Sequence, residues 1–158
     1  MEAIAREAGV SKQTVYRWWP TKAAIILEGL NEAAAAIAPA SDTGSFPADL
    51  RRFLRRTVAG AGGESTRLLT ALMAAAQLDD TFAESFRDSF LAARRRVLRE
   101  LLESARERGE MSSSADPDYL AELVFGALWY RMLARNAPLD RRFADELTAT
   151  VLTLGDCA

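Results

Sequence analysis

Histidine is absent from the 158 residues, and cysteine occurs once, at Cys157. Without histidine the chain cannot build a Ser/His or Cys/His catalytic arrangement or a histidine-ligated zinc site. A single cysteine also excludes a disulfide framework or a cysteine metal cluster within one chain. We therefore predict no catalytic residues, no metal and no other cofactor, and we expect that the protein is not an enzyme.

Long apolar runs and a large excess of one charge are lacking as well. Charged residues interrupt every hydrophobic stretch before it reaches membrane-spanning length, and the first residues do not have the pattern of a signal peptide. Lys and Arg number 20 against 22 Asp and Glu, so contact with nucleic acid would require a local basic patch. These features predict a soluble cytoplasmic protein with no membrane partner.

Helix-forming residues are abundant, and the alternating pattern of a half-buried strand is rare. The sequence therefore predicts an all-α fold. Its clearest interruption is a stretch rich in Pro, Ser, Asp and Gly near residues 39–48, which is typical of a linker. We predict an N-terminal domain at residues 1–38, a linker at 39–48 and a C-terminal domain at 49–158.

Three short helices are expected in the N-terminal domain, at about residues 1–8, 12–19 and 22–38. Gly9 permits a left-handed turn after the first helix, and Ser11 can cap the second. Pro20 ends the second helix. This order of helix, tight turn and helix is the pattern of a helix-turn-helix.

The apolar residues of this segment fit a close crossing of its first two helices. Ala5 and Ala8 are small enough to let the helices approach, and Ile4, Val10 and Val15 are predicted to fill the angle between them. Polar side chains are left on the exposed face of the second helix, whose N-terminal residues would meet base edges in the major groove. The residues on this face are Lys12, Gln13, Tyr16 and Arg17. An ordinary solvated face is the alternative for Lys12 and Arg17, but it does not explain the apolar spacing.

Five further helices are predicted in the C-terminal domain. They contain Leu50 to Ala61, Leu69 to Ala76, Thr81 to Arg108, Pro117 to Asn136 and Asp140 to Leu154, and the last two are expected to pair in antiparallel fashion. The helix that begins after Asp116 is apolar around most of its circumference, so it requires two apolar partners. One is the core of its own domain. The other is a second subunit, unless the helix lies at the centre of the core.

The segment from Ile4 to Pro20, together with Thr21-Lys22-Ala-Ala-Ile-Ile-Leu, resembles the DNA-binding motif of the tetracycline-repressor family of bacterial regulators. Asp116-Pro117 and Trp129-Tyr130-Arg131-Met132-Leu133 are similar to C-terminal domains of that family, with less specific motifs. The resemblance implies that Lys12, Gln13 and Tyr16 face bases. It also implies that Thr14, Tyr16 and Lys22 reach phosphates. Ser11 and Arg17 are further candidates for DNA contact.

The same resemblance implies a ligand-responsive regulator, acting as a repressor on a near-palindromic operator. It would form a homodimer through its last two helices and bind an unidentified small apolar effector between helices of the bundle. Candidate cavity residues are Leu69, Leu72, Met73, Phe86, Phe90, Trp129 and Tyr130, although Met and Phe at helical spacing are also typical of a core.

The family has a longer helix before this motif, whereas the present sequence begins inside it. We therefore expect a helix-turn-helix domain that lacks its first helix. This leaves an alternative function: a dimeric helical domain that binds a small molecule or a partner protein, with impaired DNA binding.

Overall fold

The computed structural model describes residues 2–19, 21–37 and 43–156. Within those ranges all of the regular secondary structure is helical, as the composition predicts. The helices are α1 (Glu2–Glu7), α2 (Lys12–Trp18), α3 (Lys22–Ile37), α4 (Phe46–Gly60), α5 (Glu64–Ala76), α6 (Asp80–Phe86), α7 (Ala92–Glu107), α8 (Pro117–Ala134) and α9 (Arg141–Leu154), and a π-helical turn (Arg87–Leu91) joins α6 to α7. The expectations at Pro20, at residues 38–42 of the linker region and for the side chain of Ile4 lie outside the described residues.

The turn between α1 and α2 follows from two residues. Gly9 has a positive φ of 65°, a backbone conformation that costs glycine little, and the N–H of Val10 donates to the carbonyl of Ala5 at 3.0 Å. Ser11 then caps α2, because its Oγ accepts from the N–H of Thr14 at 3.1 Å. The first two helices thus form the tight angle that the sequence predicts.

Fewer apolar residues fill the angle between α1 and α2 than the sequence predicts. Ala5 and Val15 are buried, at 5% and 3% exposure, and they fill the crossing of α1 and α2. The prediction that Val10 does so as well is wrong, because Val10 is 43% exposed. It lies directly after the left-handed Gly9, where the chain leaves the helix axis.

Helix α4 starts at Phe46, inside the stretch predicted as a linker at residues 39–48. Pro47 is tolerated in this first turn, where a backbone N–H would have no partner within the helix. The buried carboxylate of Asp49 accepts from the N–H and the hydroxyl of Thr43 at 2.9 and 2.8 Å. Glu110 accepts from the N–H of Phe46 at 2.6 Å. These bonds fix the start of α4.

A first core cluster lies among α4, α7, α8 and α9, with Leu54, Leu98 and Val124 completely buried. The prediction that the last two helices form a pair needs correction, since α9 lies mainly along α4 and only partly against α8. A bidentate ion pair joins Arg55 to Asp145 at 2.7 and 2.8 Å. The amphipathic faces of α4 and α9 therefore bury against each other.

A second core cluster joins the two predicted domains. Leu27 of α3 packs there among residues of α5, α6, the π-helical turn and α8. Phe86 stands at its centre, stacked on Phe82 at 6.1 Å and on Phe90 at 5.6 Å between ring centroids. Because Leu27 is 3% exposed, α3 is firmly docked on the C-terminal domain.

The region predicted as one helix from Thr81 to Arg108 contains a change of helical form. The π-helical turn is wider than an α-helical turn and therefore shifts the side-chain register. Before it, Phe82 and Phe86 face the second core cluster, and after it Leu98 and Leu102 face the first. The continuous helical segment from α6 through the π-helical turn to α7, which we call the rod, therefore contributes side chains to both core clusters. An uninterrupted α-helical stripe does not predict this change of face.

Candidate functional site

Helix α2 carries the predicted DNA-contacting side chains, and its one buried residue is Val15. Lys12, Gln13 and Arg17 are exposed, and Tyr16 is 45% exposed. The structure therefore presents these side chains to solvent. Their contacts with bases and phosphates stay predictions.

Three of the residues predicted to contact DNA already have intramolecular partners. The Nζ of Lys12 donates to Oε1 of Glu2 at 2.8 Å, and this hydrogen bond raises the pKa of Lys12 and lowers the pKa of Glu2. Ser11 Oγ lies 2.8 Å from Thr14 Oγ1 in addition to capping α2. A DNA contact of Lys12 would thus replace an ion pair on the surface, whereas Ser11 and Thr14 also hold the start of the helix.

Helix α3 brings Lys22 to the same end of the molecule. Thr21 Oγ1 accepts from the N–H of Ala24 at 3.1 Å, and the exposed Lys22 is the first residue of the helix. Trp19 joins α2 to α3 because its indole N–H donates to the carboxylate of Glu28. Its neighbour Trp18 is instead 68% exposed.

A cavity of about 350 Å³ lies among α3, α4, α5, the π-helical turn, α7 and α8. Its wall is mostly apolar, and Leu30 of α3 contributes to it from the N-terminal domain. Its lining residues include Leu30, Thr57, Phe90, Arg94, Phe125 and Trp129. The volume falls within the range of small-molecule pockets, which is about 300 to 1,000 Å³.

The structure brings three of the predicted cavity residues to this wall and separates the others from it. Leu69, Phe90 and Trp129 line the cavity. Leu72, Met73 and Phe86 instead belong to the second core cluster or pack against it, as the core alternative for such residues predicts. Tyr130 is 64% exposed on the surface of α8.

Sequence reasoning missed several lining residues, and one of them left a signal. Phe86, Phe90, Leu98 and Leu102 follow one another along the rod at multiples of four residues, and Arg94 occupies the intervening position. Arg94 also stands in a run of three arginines, and such a charged run is by itself typical of a solvated helix face. In the structure Arg94 is half-buried at the cavity, and its guanidinium lies 5.5 Å from the centroid of the Phe53 ring.

Helix α8 has three different faces. One is buried in the first core cluster through residues such as Leu120 and Val124, and a second lines the cavity through Phe125 and Trp129. The third is an exposed stripe, which we call the α8 stripe. Its members are Tyr119, Leu123, Gly126, Tyr130 and Leu133.

The members of the α8 stripe alternate at spacings of four and three residues, the spacing of a seam between two helices. Tyr119 is 58% exposed and Leu133 is 45% exposed. A Cβ added at Gly126 would meet nothing within 4 Å. An apolar stripe along a whole helix is the kind of surface that marks an interaction site.

An N-terminal helix-turn-helix with an exposed polar second helix, joined to a helical bundle that holds a cavity, defines a DNA-binding regulatory protein. Comparison with known proteins is consistent with this class. Residues 1–28 match the model described as bacterial regulatory proteins, tetR family. Residues 40–151 match the tetracyclin repressor-like C-terminal domain. The chain therefore belongs to the TetR family of bacterial transcriptional regulators.

Relatives agree with the family models. The uncharacterized HTH-type transcriptional regulator YdeS of Bacillus subtilis is 30% identical over 147 residues, which cover 93% of this chain and 74% of YdeS. The HTH-type transcriptional regulator AqdR of Rhodococcus erythropolis is 32% identical over 127 residues, 79% of this chain and 59% of AqdR. The resemblance and the expectation of a non-enzymatic regulator are thus confirmed.

Solved structures show the same architecture. The TetR family transcription regulator SCO0332 superposes with a TM-score of 0.87 at 36% identity, covering 99% of this chain and 86% of SCO0332. The flavonoid-responsive regulator FrrA superposes with a TM-score of 0.69 at 25% identity, covering 97% and 82% of the two chains. Among the described residues, no helix is long and apolar enough to cross a membrane.

Proposed function

We propose that this protein is a ligand-responsive repressor that binds a near-palindromic operator as a homodimer. A small apolar effector would either release the protein from the operator or retain it there. Repression under ligand control is typical of the family, and FrrA, which shares the fold, is described as flavonoid-responsive. The proposal places the protein in the bacterial cytoplasm, where the DNA is.

The observation that carries ligand control is the position of Leu30. This residue lies on α3, the helix that begins at Lys22, and it also lines the cavity with residues of the C-terminal domain. A molecule in the cavity would touch the helix that supports α2. The proposed effector would therefore be connected to the DNA-reading helix α2 through α3 and through the contact of Trp19 with Glu28.

The proposed DNA contacts divide into two kinds. Lys12, Gln13 and Tyr16 would meet base edges, with Arg17 beside them, since a glutamine can pair with adenine and a lysine or arginine can donate to guanine. Thr14, Tyr16 and Lys22 would contact phosphates, with Ser11 beside them. Contacts of the second kind position the protein and carry no sequence information.

The homodimer would form through the α8 stripe, with α9 beside it. In a twofold interface the same surface patch of the two subunits packs against its own copy. Each side chain of the α8 stripe would therefore be buried in both subunits. The face of α9 that remains exposed is largely polar and carries the ion pair of Arg142 with Glu146 at 2.7 Å. We therefore assign most of the apolar contact to α8.

Binding to DNA from the region around the protein's own gene tests the residue roles. The measurement is the dissociation constant at several salt concentrations for the unchanged protein, Lys12→Ala and Lys22→Ala. Arg52→Ala, which removes an exposed cation of α4, is the matched control. Lys22→Ala should weaken binding to all sequences. It should also reduce the salt slope by about 1.8 per dimer, because two phosphate contacts are lost. Lys12→Ala should instead reduce the preference for the operator over unrelated DNA.

Two results would contradict these assignments. If Lys22→Ala behaves like Arg52→Ala, Lys22 does not hold a phosphate. If the unchanged protein shows no preference for any DNA at low salt, the operator-binding proposal fails for this chain. A reporter gene placed behind the bound DNA then separates the modes of action, because a repressor lowers expression when it is supplied and an activator raises it.

A further inference from the structure

A second cavity lies between the start of α5 and the end of α8. Its volume is about 450 Å³, and its wall is formed by residues of the 61–67 stretch on one side and of the 131–139 stretch on the other. Three of the lining side chains are arginines, Arg67, Arg131 and Arg135, and none of the described lining residues is acidic. We call this surface the arginine pocket.

The contacts of the three arginines within the chain leave their charges without an opposite charge beside them. Arg131 is half-buried, its Nη1 donates to the carbonyl of Pro138 at 3.0 Å, and its guanidinium lies 3.8 Å from the centroid of the Phe143 ring. These contacts hold the side chain in place but do not neutralise it. Arg67 and Arg135 are exposed, and neither side chain makes a hydrogen bond or an ion pair in the described part of the chain.

Carboxylates near the pocket in sequence do not compensate this positive charge. Asp140 caps α9, where it accepts from the N–H of Phe143 at 2.9 Å, and Glu64 is exposed in the first turn of α5. Arg131 and Arg135 stand four residues apart, a spacing at which like charges on a helix repel each other. A bound anion would remove this repulsion.

The backbone of Arg135 is a separate indication that its side chain has a use. Arg135 ends α8 with φ 50° and ψ 30°, a left-handed conformation that is unfavourable for a residue with a side chain and is usually given to glycine at a helix end. The cap itself needs only the backbone, since the N–H of Arg135 donates to the carbonyl of Arg131 at 3.0 Å. Strained residues of this kind cluster at functional sites.

We propose that the arginine pocket binds a phosphate group, carried either by the DNA backbone or by a free phosphorylated molecule. Several arginines favour a phosphate over a carboxylate, because one guanidinium can already satisfy both oxygens of a carboxylate, whereas a phosphate has further oxygens that accept hydrogen bonds. This site is distinct in chemistry from the apolar cavity, and the inference does not depend on the proposed ligand control.

The position of the arginine pocket is compatible with both sources. Met132 lines the pocket and also packs in the second core cluster with Leu27 of α3. Leu27 lies five residues beyond Lys22, about 7.5 Å along the helix. The pocket is therefore close to the docked DNA-binding helices, and it is also open to a small molecule through the exposed Arg67 and Arg135.

Pyrophosphate tests the site on the full chain without DNA. Isothermal titration calorimetry at constant ionic strength compares pyrophosphate with oxalate, which is a dicarboxylate. Arg67→Gln and Arg135→Gly should each weaken pyrophosphate binding by about fivefold or more, because each removes hydrogen bonds to a charged group. Lys22→Ala, on the DNA-binding helices, and Arg106→Gln, at an exposed arginine near the end of α7, are the controls and should change it by less than about twofold.

The variant Arg135→Gly also separates binding from a structural role. Glycine adopts the left-handed conformation at little cost, so the melting temperature of Arg135→Gly should be unchanged or higher while pyrophosphate binding is weaker. If Arg135 only stabilised the end of α8, the same variant would have a lower melting temperature and unchanged binding.

The salt dependence of DNA binding identifies the source of the phosphate. If the DNA backbone occupies the pocket, Arg67→Gln and Arg135→Gly should each reduce the salt slope by about 1.8 per dimer, as expected for two lost phosphate contacts. If a free molecule occupies it, the slope should be unchanged in both variants while pyrophosphate binding is weakened.

Three results would overturn the inference. They are binding of oxalate as tight as that of pyrophosphate, a loss of pyrophosphate binding in Lys22→Ala or Arg106→Gln equal to that in the pocket variants, and an absence of pyrophosphate binding together with an unchanged salt slope. None of them bears on the effector cavity. A chain that binds pyrophosphate through Arg67 and Arg135 but has no preference for any DNA would refute operator binding and leave this site intact.

Discussion

Leu133 provides the sharpest test of the α8 stripe as a dimer interface. The change Leu133→Ala shortens an apolar side chain that is 45% exposed in the single chain. If a second subunit covers the α8 stripe, this exposed part becomes buried on association, and the substitution removes most of that gain. If no subunit covers it, the same change alters only a partly exposed surface position.

The expected loss follows from the exposed fraction. Complete burial of a leucine contributes about 1.5 to 3 kcal/mol, so the exposed 45% corresponds to about 0.7 to 1.4 kcal/mol per copy. Alanine retains the Cβ, which reduces this range to about 0.5 to 1 kcal/mol. Two copies meet in a twofold dimer, so the loss is about 1 to 2 kcal/mol, or roughly a fivefold to thirtyfold weaker dimer.

Sedimentation velocity over a dilution series measures the dimer dissociation constant directly. Leu78→Ala is the matched control, because Leu78 is 89% exposed and lies between α5 and α6, away from α8. Thermal unfolding of both variants at a concentration where they are monomeric reports any effect on the single chain. A dimer whose dissociation constant is the same in both variants, or an unchanged protein that stays monomeric, would refute the use of this surface.

Three further predictions concern the DNA-binding helices, the second core cluster and the stability of the fold at acid pH. Glu2→Gln should strengthen operator binding at low salt in an electrophoretic mobility assay, because it frees Lys12 from its ion pair. Glu7→Gln removes the same charge from α1 and is the control. If both variants have the same effect, the loss of the ion pair is not the cause. Phe86→Ala should lower the free energy of unfolding by about 3 to 5 kcal/mol in urea titrations, since Phe86 is 1% exposed; a loss below about 1 kcal/mol would show that the second core cluster relaxes around the gap. The pKa of Glu110 is lowered, first by the N–H of Phe46 and then by Arg108. Its contribution to stability is therefore present above its ordinary pKa of 4.5 and is lost as the pH falls through the lower folded value. Stability measured from pH 6 to pH 3 should decline less steeply in Glu110→Gln, and identical slopes would exclude Glu110 as a cause.

Local signals were sufficient for most of the fold. Gly9 and Ser11 predicted the turn between α1 and α2, because a left-handed backbone and a helix cap are properties of single residues and their immediate neighbours. Asp116 and Pro117 predicted the start of α8 for the same reason, and Asp116 does cap that helix by accepting from the N–H of Asp118 at 2.9 Å. Features of this kind do not depend on the rest of the chain.

The pairing of helices and the register of the rod depended on distant contacts instead. An amphipathic stripe indicates that α9 must be buried, but it does not say whether α4 or α8 covers it. The π-helical turn has no comparable local signature, and it decides which side chains of the rod face the cavity. The sequence therefore does not place Arg94 beside the cavity, although it offers Phe90 as a candidate.

The arrangement of α8 and α3 bears on how occupancy of the cavity would reach the DNA. Leu30 lies eight residues beyond Lys22 on α3, about 12 Å along the helix at 1.5 Å per residue. Across the cavity, Phe125 and Trp129 belong to the helix that carries the α8 stripe. An effector in this position would touch both α3, which supports the DNA-reading helix, and the helix that carries the α8 stripe. It changes operator affinity only as far as its own affinity differs between two arrangements of these helices. A coupling of about 1 to 3 kcal/mol would correspond to a change of roughly fivefold to 150-fold in operator affinity.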